Sequence, residues 1–258
     1  MEQRAYILAD MTWPEVAEAL KTVEVAIIPT GSNEQHGPHL AVRTDIANAT
    51  SFALRLAQRL YPRALLVPPL PFGVSPHHMP FPGTISLRPE TFLAVLHDVI
   101  ASLKEHGVRT FFIVNGHGGN NPSLGQLMLT IKRDLGVNAA FAQVWPSREV
   151  MQQHAATATF GHACDLEVSW SLYLTPDLVR QDRLTTGQPR ELGYRHAGTV
   201  VTVAADFAER TANGALGDAP RASVETGRAL IEPVLQACAE FLEDFLAKHG
   251  RQAAGAPS

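Results

Sequence analysis

The chain is 258 residues long, with 45% hydrophobic and 18% charged side chains and 21 basic against 25 acidic groups. That length lets one large domain bury about 70 to 75% of its unfolded surface without disulfides, and the balance excludes a disordered chain, a collagen-like chain and a basic surface that coats nucleic acid. Only Cys164 and Cys238 are present, the opening stretch MEQRAYILADMTW has neither the basic nor the apolar region of an export signal, and no apolar run approaches the ~20 residues of a membrane span. The expectation is a cytoplasmic protein with no membrane or nucleic-acid partner.

In chain order, Val23 to Pro29 (VEVAIIP) is a short apolar run that predicts a buried strand feeding the turn-rich loop TGSNEQHGPHL. Thr44 or Asp45 can cap the next helix, where Ile46, Ala49, Ala53, Leu56, Ala57 and Leu60 recur at helical spacing until Tyr61-Pro62 ends them. Leu65 to Pro68 reads as a second strand, and Pro68 to Gly83 as a long loop of the kind that carries function. Pro89 opens a helix with one stripe of Phe92, Leu96, Val99, Ile100 and Leu103, and Gly107 suits its left-handed C-terminus.

Thr110 to Val114 (TFFIV) predicts a strand that runs into NGHGGNN, followed by a helix on Pro122, Leu124, Leu127, Met128, Ile131 and Leu135 and a strand over Ala139 to Trp145. This alternation predicts a three-layer α/β sandwich, a mostly parallel central sheet with helices on both faces. Helices are expected over 161–174 and 223–248, a polar strand and loop region over 185–219, a single domain over 1–251 and a disordered tail over 252–258.

Eleven histidines are present, several beside Gly, Asn and Pro. Glu34 and His36 are two apart, so an extended segment projects both to one side. Asp45 follows at a helix start, and His117 lies just past a strand, where open α/β sheets bind ligands. Two imidazoles and two carboxylates converging there suit Zn or Mn, with a carboxylate such as Asp45 able to bridge two ions; the alternative is a polar loop that hydrogen-bonds itself. On the helix that follows, Ala163, Leu166, Trp170 and Leu174 form an apolar stripe with Glu167 in its middle, while Asp165 falls on the opposite side, where it keeps its water. A carboxylate on an apolar face needs a partner, either an arginine or a metal.

The run IIPTGSNEQHGPHLAVRTDIANA resembles the first signature of the creatininase family, the metal-dependent creatinine amidohydrolases and their relatives. FGVSPHHMPFPGTISL, NGHGGN, GHACDLEVSWSLYL and GALGDAPRASVETG resemble its later motifs, in order over about residues 5–245. The resemblance implies a creatininase-like fold, a homohexamer, and a binuclear Zn, Mn or Fe site that activates water against an amide. By position, it implies Glu34, His36, Asp45 and His117 as metal ligands with Asp45 bridging, Glu167 closing the second metal, and His162 carrying a proton to the leaving nitrogen. Ser75, His78 and Gly118 are expected at the substrate, a small amide.

Creatinine hydrolases carry a tyrosine and a glutamate just after the central histidine and a Trp-Asp pair before the later one; here those positions are Gly118, Gly119, Ala158 and Thr159. The expectation is therefore a pocket without aromatic walls that does not select creatinine. The Gly-Gly-Asn turn is similar to that of formylaminopyrimidine-nucleotide deformylases and of the mycofactocin-maturing peptidase. Cleavage of a cyclic amide or formamide is the main expectation, and the alternatives are trimming of a precursor peptide or a metal-binding relative without catalysis. His39 is expected to order its turn, and Cys164 to serve helix packing, because neighbouring carboxylates disfavour a thiolate.

Overall fold

The computed structural model describes residues 4–194 and 200–249, so His196 and the tail lie outside the described residues. Its centre is a sheet of five strands, β1 (Tyr6–Ile7), β2 (Val25–Thr30), β3 (Ala64–Leu66), β4 (Thr110–Asn115) and β5 (Asn138–Gln143), in the order β1-β3-β2-β4-β5. All four strand pairings are parallel. β2 and β4 lie side by side at the middle, and Thr30 pairs with Asn115, so the two strands end level.

Both faces of these central strands are covered, which is why their sequences are continuously apolar and do not alternate with polar residues. Val25 and Ile27 of β2 and Phe112 and Val114 of β4 point to one core, shared with Phe52 and Leu56 of α2 (Thr44–Arg59). Leu166 and Trp170 of α6 (Asp165–Leu174) and Leu230 and Leu235 of α8 (Val224–His249) complete it. Ala26, Ile28, Phe111 and Ile113 point to the other core, formed with Phe92 and Leu96 of α3 (Pro89–Glu105) and Leu124 and Leu127 of α4 (Asn121–Asp134). Side chains of this size contribute about 1.5–3 kcal/mol each when fully buried, so the two cores clamp β2 and β4 from both sides.

Several elements differ from expectation. The helix expected from residue 161 begins at Asp165, because Gly161 (φ 148°) and Ala163 (φ 49°) have backbone angles that an α-helix excludes. His162 is thereby held in a loop. Among its described residues the polar region contains, instead of a strand, isolated bridges Thr186–Asp218 and Pro189–Thr211 and the short helix α7 (Phe207–Arg210). Helices α1 (Trp13–Ala19) and α5 (Arg148–His154) were not anticipated, although Thr12 and Glu15 form a capping box at the start of α1. No described helix is long and apolar enough to cross a membrane.

The packing yields a direct expectation for stability. Phe52 is fully buried and Leu129, on α4, is 71% exposed. Phe52→Ala should lower the unfolding free energy by about 3–5 kcal/mol, and Leu129→Ala should change it by about 0.5 kcal/mol or less. Urea denaturation of the two variants checks both figures.

Candidate metal centre

After β2 the chain turns through α2 to β3 on one side, and after β4 it turns through α4 to β5 on the other. The crevice between the carboxyl ends of β2 and β4 is therefore the point where an open sheet binds ligands. Gly31 and Gly116 follow the two strands directly, and a Cβ on either would meet backbone at the start of α2: Ile46 N at 2.5 Å from Gly31 and Asp45 O at 2.2 Å from Gly116. Two glycines thus let the first turn of α2 settle onto both strand ends. Asn115 and Asn120 tie the loops beneath it, through Asn115 Nδ2 to His117 O (2.6 Å) and Asn120 Nδ2 to Gly31 O (3.1 Å).

Glu34, His36, Asp45, His117 and Glu167 come together in this crevice, all buried. His117 Nδ1 lies 3.2 Å from Glu34 Oε2 and 3.1 Å from Asp45 Oδ2. His36 Nε2 lies 2.9 Å from Asp45 Oδ1 and 3.7 Å from Glu167 Oε1. Each imidazole nitrogen faces two carboxylates, and Asp45 gives one oxygen to each side. Glu34–Asp45–His117 and His36–Asp45–Glu167 are two sets whose ligand atoms lie within 4.8 Å of one another, with Asp45 common to both; Glu34, His36 and His162 form a third.

The donor chemistry fits divalent cations. Asp45 Oδ2 is buried without a hydrogen bond, and the basic side chains within 4 Å of the Glu167 carboxylate among the described residues are the imidazoles of His36 (3.7 Å) and His162 (3.9 Å), not an arginine. Burial opposes charge on Glu34, yet His117, His78 and His36 outweigh it and hold its carboxyl well below the usual range. Burial likewise works against charge on His36 and His117, but Asp45 with Glu167 raises His36 well above its ordinary value, and Glu34 with Asp45 pushes His117 up to about 10. The carboxylates therefore favour positive charge at this place. Hydrogen bonding also selects the ring nitrogens. A carbonyl oxygen only accepts, so His117 Nε2 donates to Val74 O (3.1 Å) and His36 Nδ1 to Glu34 O (3.1 Å), which leaves His117 Nδ1 and His36 Nε2 free for a cation.

Of the residues expected at the substrate, only Gly118 and His78 line the adjoining cavity of about 340 Å³. Ser75 is corrected: it is fully buried behind the cluster, where Oγ donates to Glu34 Oε2 (2.5 Å) and contacts His117 Nε2 (2.9 Å). His78 reaches Glu34 Oε1 at 3.4 Å and Gln35 Nε2 at 3.0 Å. His39 is buried and donates from Nε2 to Ala163 O (2.8 Å), bracing the residue whose N–H donates to Glu167 Oε2 (2.5 Å). His162 faces the cavity, and burial, reinforced by His36, lowers its pKa to about 3. Burial also pushes the Cys164 thiol up to about 12, consistent with its place in the apolar core.

Two expectations are overturned here. Asp165 is only 3% exposed, because α6 is buried on nearly every side, and its carboxylate accepts from Ala156 N (2.8 Å) and Asp218 N (3.4 Å). The cavity is also not free of aromatic walls: Trp145, Trp170 and Phe207 line it, and Phe207 stacks on His78 at 4.5 Å and meets His162 edge-on at 4.7 Å. Phe207 and Gln35 escaped the sequence reading. The only sequence signal for Phe207 is the Asp206–Glu209 capping box that starts α7.

The fold and the shared carboxylate define a candidate metal centre at the carboxyl end of a parallel sheet. The creatininase model, described as creatinine amidohydrolase, matches residues 9–242, and the chain belongs to that family. The mycofactocin precursor peptide peptidase of Mycobacterium ulcerans is 30% identical over 242 residues, 88% of this chain and 84% of the relative. The creatinine amidohydrolase of Pseudomonas putida is 28% identical over 260 residues, 93% and 97% of the two chains. Among solved structures, a Zn–Zn type of a mutant creatininase superposes with a TM-score of 0.77 at 28% identity, over 95% of this chain and 98% of that one. Another neighbour is a creatininase in a Mn form.

Asp165 now carries a stability prediction. Asp165→Ala leaves two backbone N–H groups without their acceptor and should lower the unfolding free energy by about 1–3 kcal/mol. Chemical denaturation reads the change, and a shift under about 0.5 kcal/mol would mean that water replaces the carboxylate.

Proposed function

We propose that the protein is a two-metal amidohydrolase that cleaves the C–N bond of a small cyclic amide or formamide. Glu34, Asp45 and His117 would hold one divalent cation of the Zn, Mn or Fe type, and His36, Asp45 and Glu167 would hold the other. The observation that carries this reading is Asp45, shared between two buried ligand sets at the wall of a cavity. At about 340 Å³ that cavity is near the lower end for ligand pockets, which suits a small substrate.

When bound, the two cations supply Lewis acidity that makes water nucleophilic near neutral pH and polarises the substrate carbonyl. His162 lines the cavity with Nδ1 3.9 Å from both Glu34 Oε1 and Glu167 Oε2. It takes the proton that water gives up as the C–O bond forms and passes it to the leaving nitrogen as the C–N bond breaks, so the products are a carboxylic acid and an amine. Ser75 holds Glu34, and His39 holds Ala163 in its left-handed conformation, so that Glu167 keeps its aim.

A second reading, release of a fragment from a peptide, is favoured by two observations. Trp145 lines both the site and an apolar groove of about 500 Å³ along β5 and α8, and a Cβ at Gly118 would meet open space. An extended substrate could leave the site by that route. The homohexamer and the cytoplasmic location implied by the resemblance belong to the same proposal and are read by sedimentation and by fractionation.

Elemental analysis of the purified protein should find about two divalent ions per chain, since one Zn needs only three or four ligands. Asp45→Asn should lose both ions and all hydrolysis, and Glu167→Gln should lose one. Full metal content in the Asp45 variant would overturn the shared-ligand assignment. Creatinine, formanilide and a short peptide, assayed side by side, separate the substrate classes. Formanilide should be hydrolysed and creatinine poorly, because Gly118, Ala158 and Thr159 lack the side chains with which creatinine hydrolases hold it; creatinine turnover of roughly 1 to 1000 per second would refute that argument.

A further inference from the structure

Gln35 stands between two functional histidines and bonds to them with both its backbone and its side chain. Its carbonyl oxygen lies 2.7 Å from His162 Nε2. Its amide nitrogen lies 3.0 Å from His78 Nδ1, and its amide oxygen accepts from Gly37 N at 2.9 Å. We propose that Gln35 is a positioning residue that fixes the tautomers of His162 and His78, placing hydrogen on Nε2 of both rings and leaving His162 Nδ1 as the nitrogen that handles protons. The inference deepens the amidohydrolase reading and rests on it.

The assignment follows from donor and acceptor roles. A carbonyl oxygen cannot donate, so His162 Nε2 must carry hydrogen. Nδ1 is then the nitrogen turned away from Gln35, 3.9 Å from Glu34 Oε1 and from Glu167 Oε2. The Gly37 N–H fixes which end of the Gln35 amide is oxygen, so the other end is a donor aimed at His78 Nδ1. His78 Nδ1 therefore accepts, and Nε2–H points at Glu34 Oε1, 3.4 Å away. Gln35 Nε2 also lies 3.0 Å from His162 Nε2, where the ring nitrogen would have to accept; the shorter 2.7 Å approach of the Gln35 carbonyl oxygen assigns the hydrogen to Nε2.

The seat of the amide is built by a distant part of the chain. Gly214 has φ 78°, and a Cβ there would stand 2.1 Å from Gln35 Oε1. The GALGD segment thus makes room for the amide that orients His78. A glycine far from every ligand in sequence becomes part of the proton-handling apparatus.

The test is a long-range ¹H–¹⁵N correlation spectrum of the Zn-reconstituted protein with ¹⁵N-labelled histidine, assigned by the peaks lost in His78→Asn and His162→Asn. Both rings should show hydrogen on Nε2 and a bare Nδ1. Hydrogen on Nδ1 of either ring, or on both nitrogens of His162, would overturn the proposal. Gln35→Glu, nearly the same shape, replaces the donor with an acceptor and should move hydrogen onto His78 Nδ1 while His162 is unchanged. Turnover of the hydrolysed probe should fall about 10- to 100-fold, the usual loss when a partner of a metal-site residue is changed. Gly214→Ala should lower turnover in the same direction. An unchanged His78 in Gln35→Glu sinks the role of the side chain. If the tautomers stand as stated but His162→Asn remains active, the failure lies in the hydrolytic reading and not in the hydrogen assignment.

Discussion

Three carboxylates, Glu34, Asp45 and Glu167, are held almost out of contact with water within reach of one another. Isolated charges in such surroundings are costly enough that they neutralise or acquire a partner, and two histidines alone balance the three only by keeping protons. This demand for positive charge is what the surrounding structure serves. The level ends of β2 and β4, the glycines after them and the first turn of α2, which starts at Thr44 without the side-chain cap expected of Thr44 or Asp45, place Asp45 between His36 and His117. Move α2 by one side chain and one of the two ligand sets loses its shared oxygen.

Around that centre lies a consistent scheme of hydrogen bonds to carbonyl groups. Val74 O receives His117 Nε2–H, Glu34 O receives His36 Nδ1–H, Ala163 O receives His39 Nε2–H and Gln35 O receives His162 Nε2–H. Backbone carbonyls cannot change role with pH, so each fixes one ring nitrogen as donor and directs the other. For His36 and His117 the directed nitrogen faces the carboxylates; for His162 it faces the cavity wall. The same device thus serves the proposed ligands and the proposed proton carrier, and it depends on loops held by the Asn115–Asn120 network beneath them.

What could be read from the sequence was what repeats or what stands in a local motif. β2 and β4 are apolar runs because both faces are covered, and α2 and α3 show their buried stripes at helical spacing. Glu34, His36, Asp45 and His117 stand at the ends of those elements, so placing the elements placed their side chains near one another. Asp165 was misjudged because a helical wheel distinguishes two faces but does not reveal that α6 is covered on both; the second cover is the segment around Asp218, more than fifty residues away in sequence. Phe207 lies in a four-residue helix with no period to detect. Gln35 was overlooked because its role depends on which nitrogen of each neighbouring ring carries hydrogen, and spacing along the chain contains no such information.

The aromatic side chains alter the argument about substrate choice. Trp145, Trp170 and Phe207 bound the cavity, so aromatic surface is present but comes from the end of β5, the middle of α6 and the start of α7. Gly118 lies on the wall with nothing near the direction in which a side chain would project. A planar substrate held by a residue at that place would find no support there, whereas one that extends past Gly118 would find space. Phe207 already lies against His78 and His162, which places apolar surface beside both rings. In the proposed reading, recognition is therefore displaced from the turn after the central histidine toward Trp145 and Phe207, which line the cavity from segments that supply none of the proposed ligands.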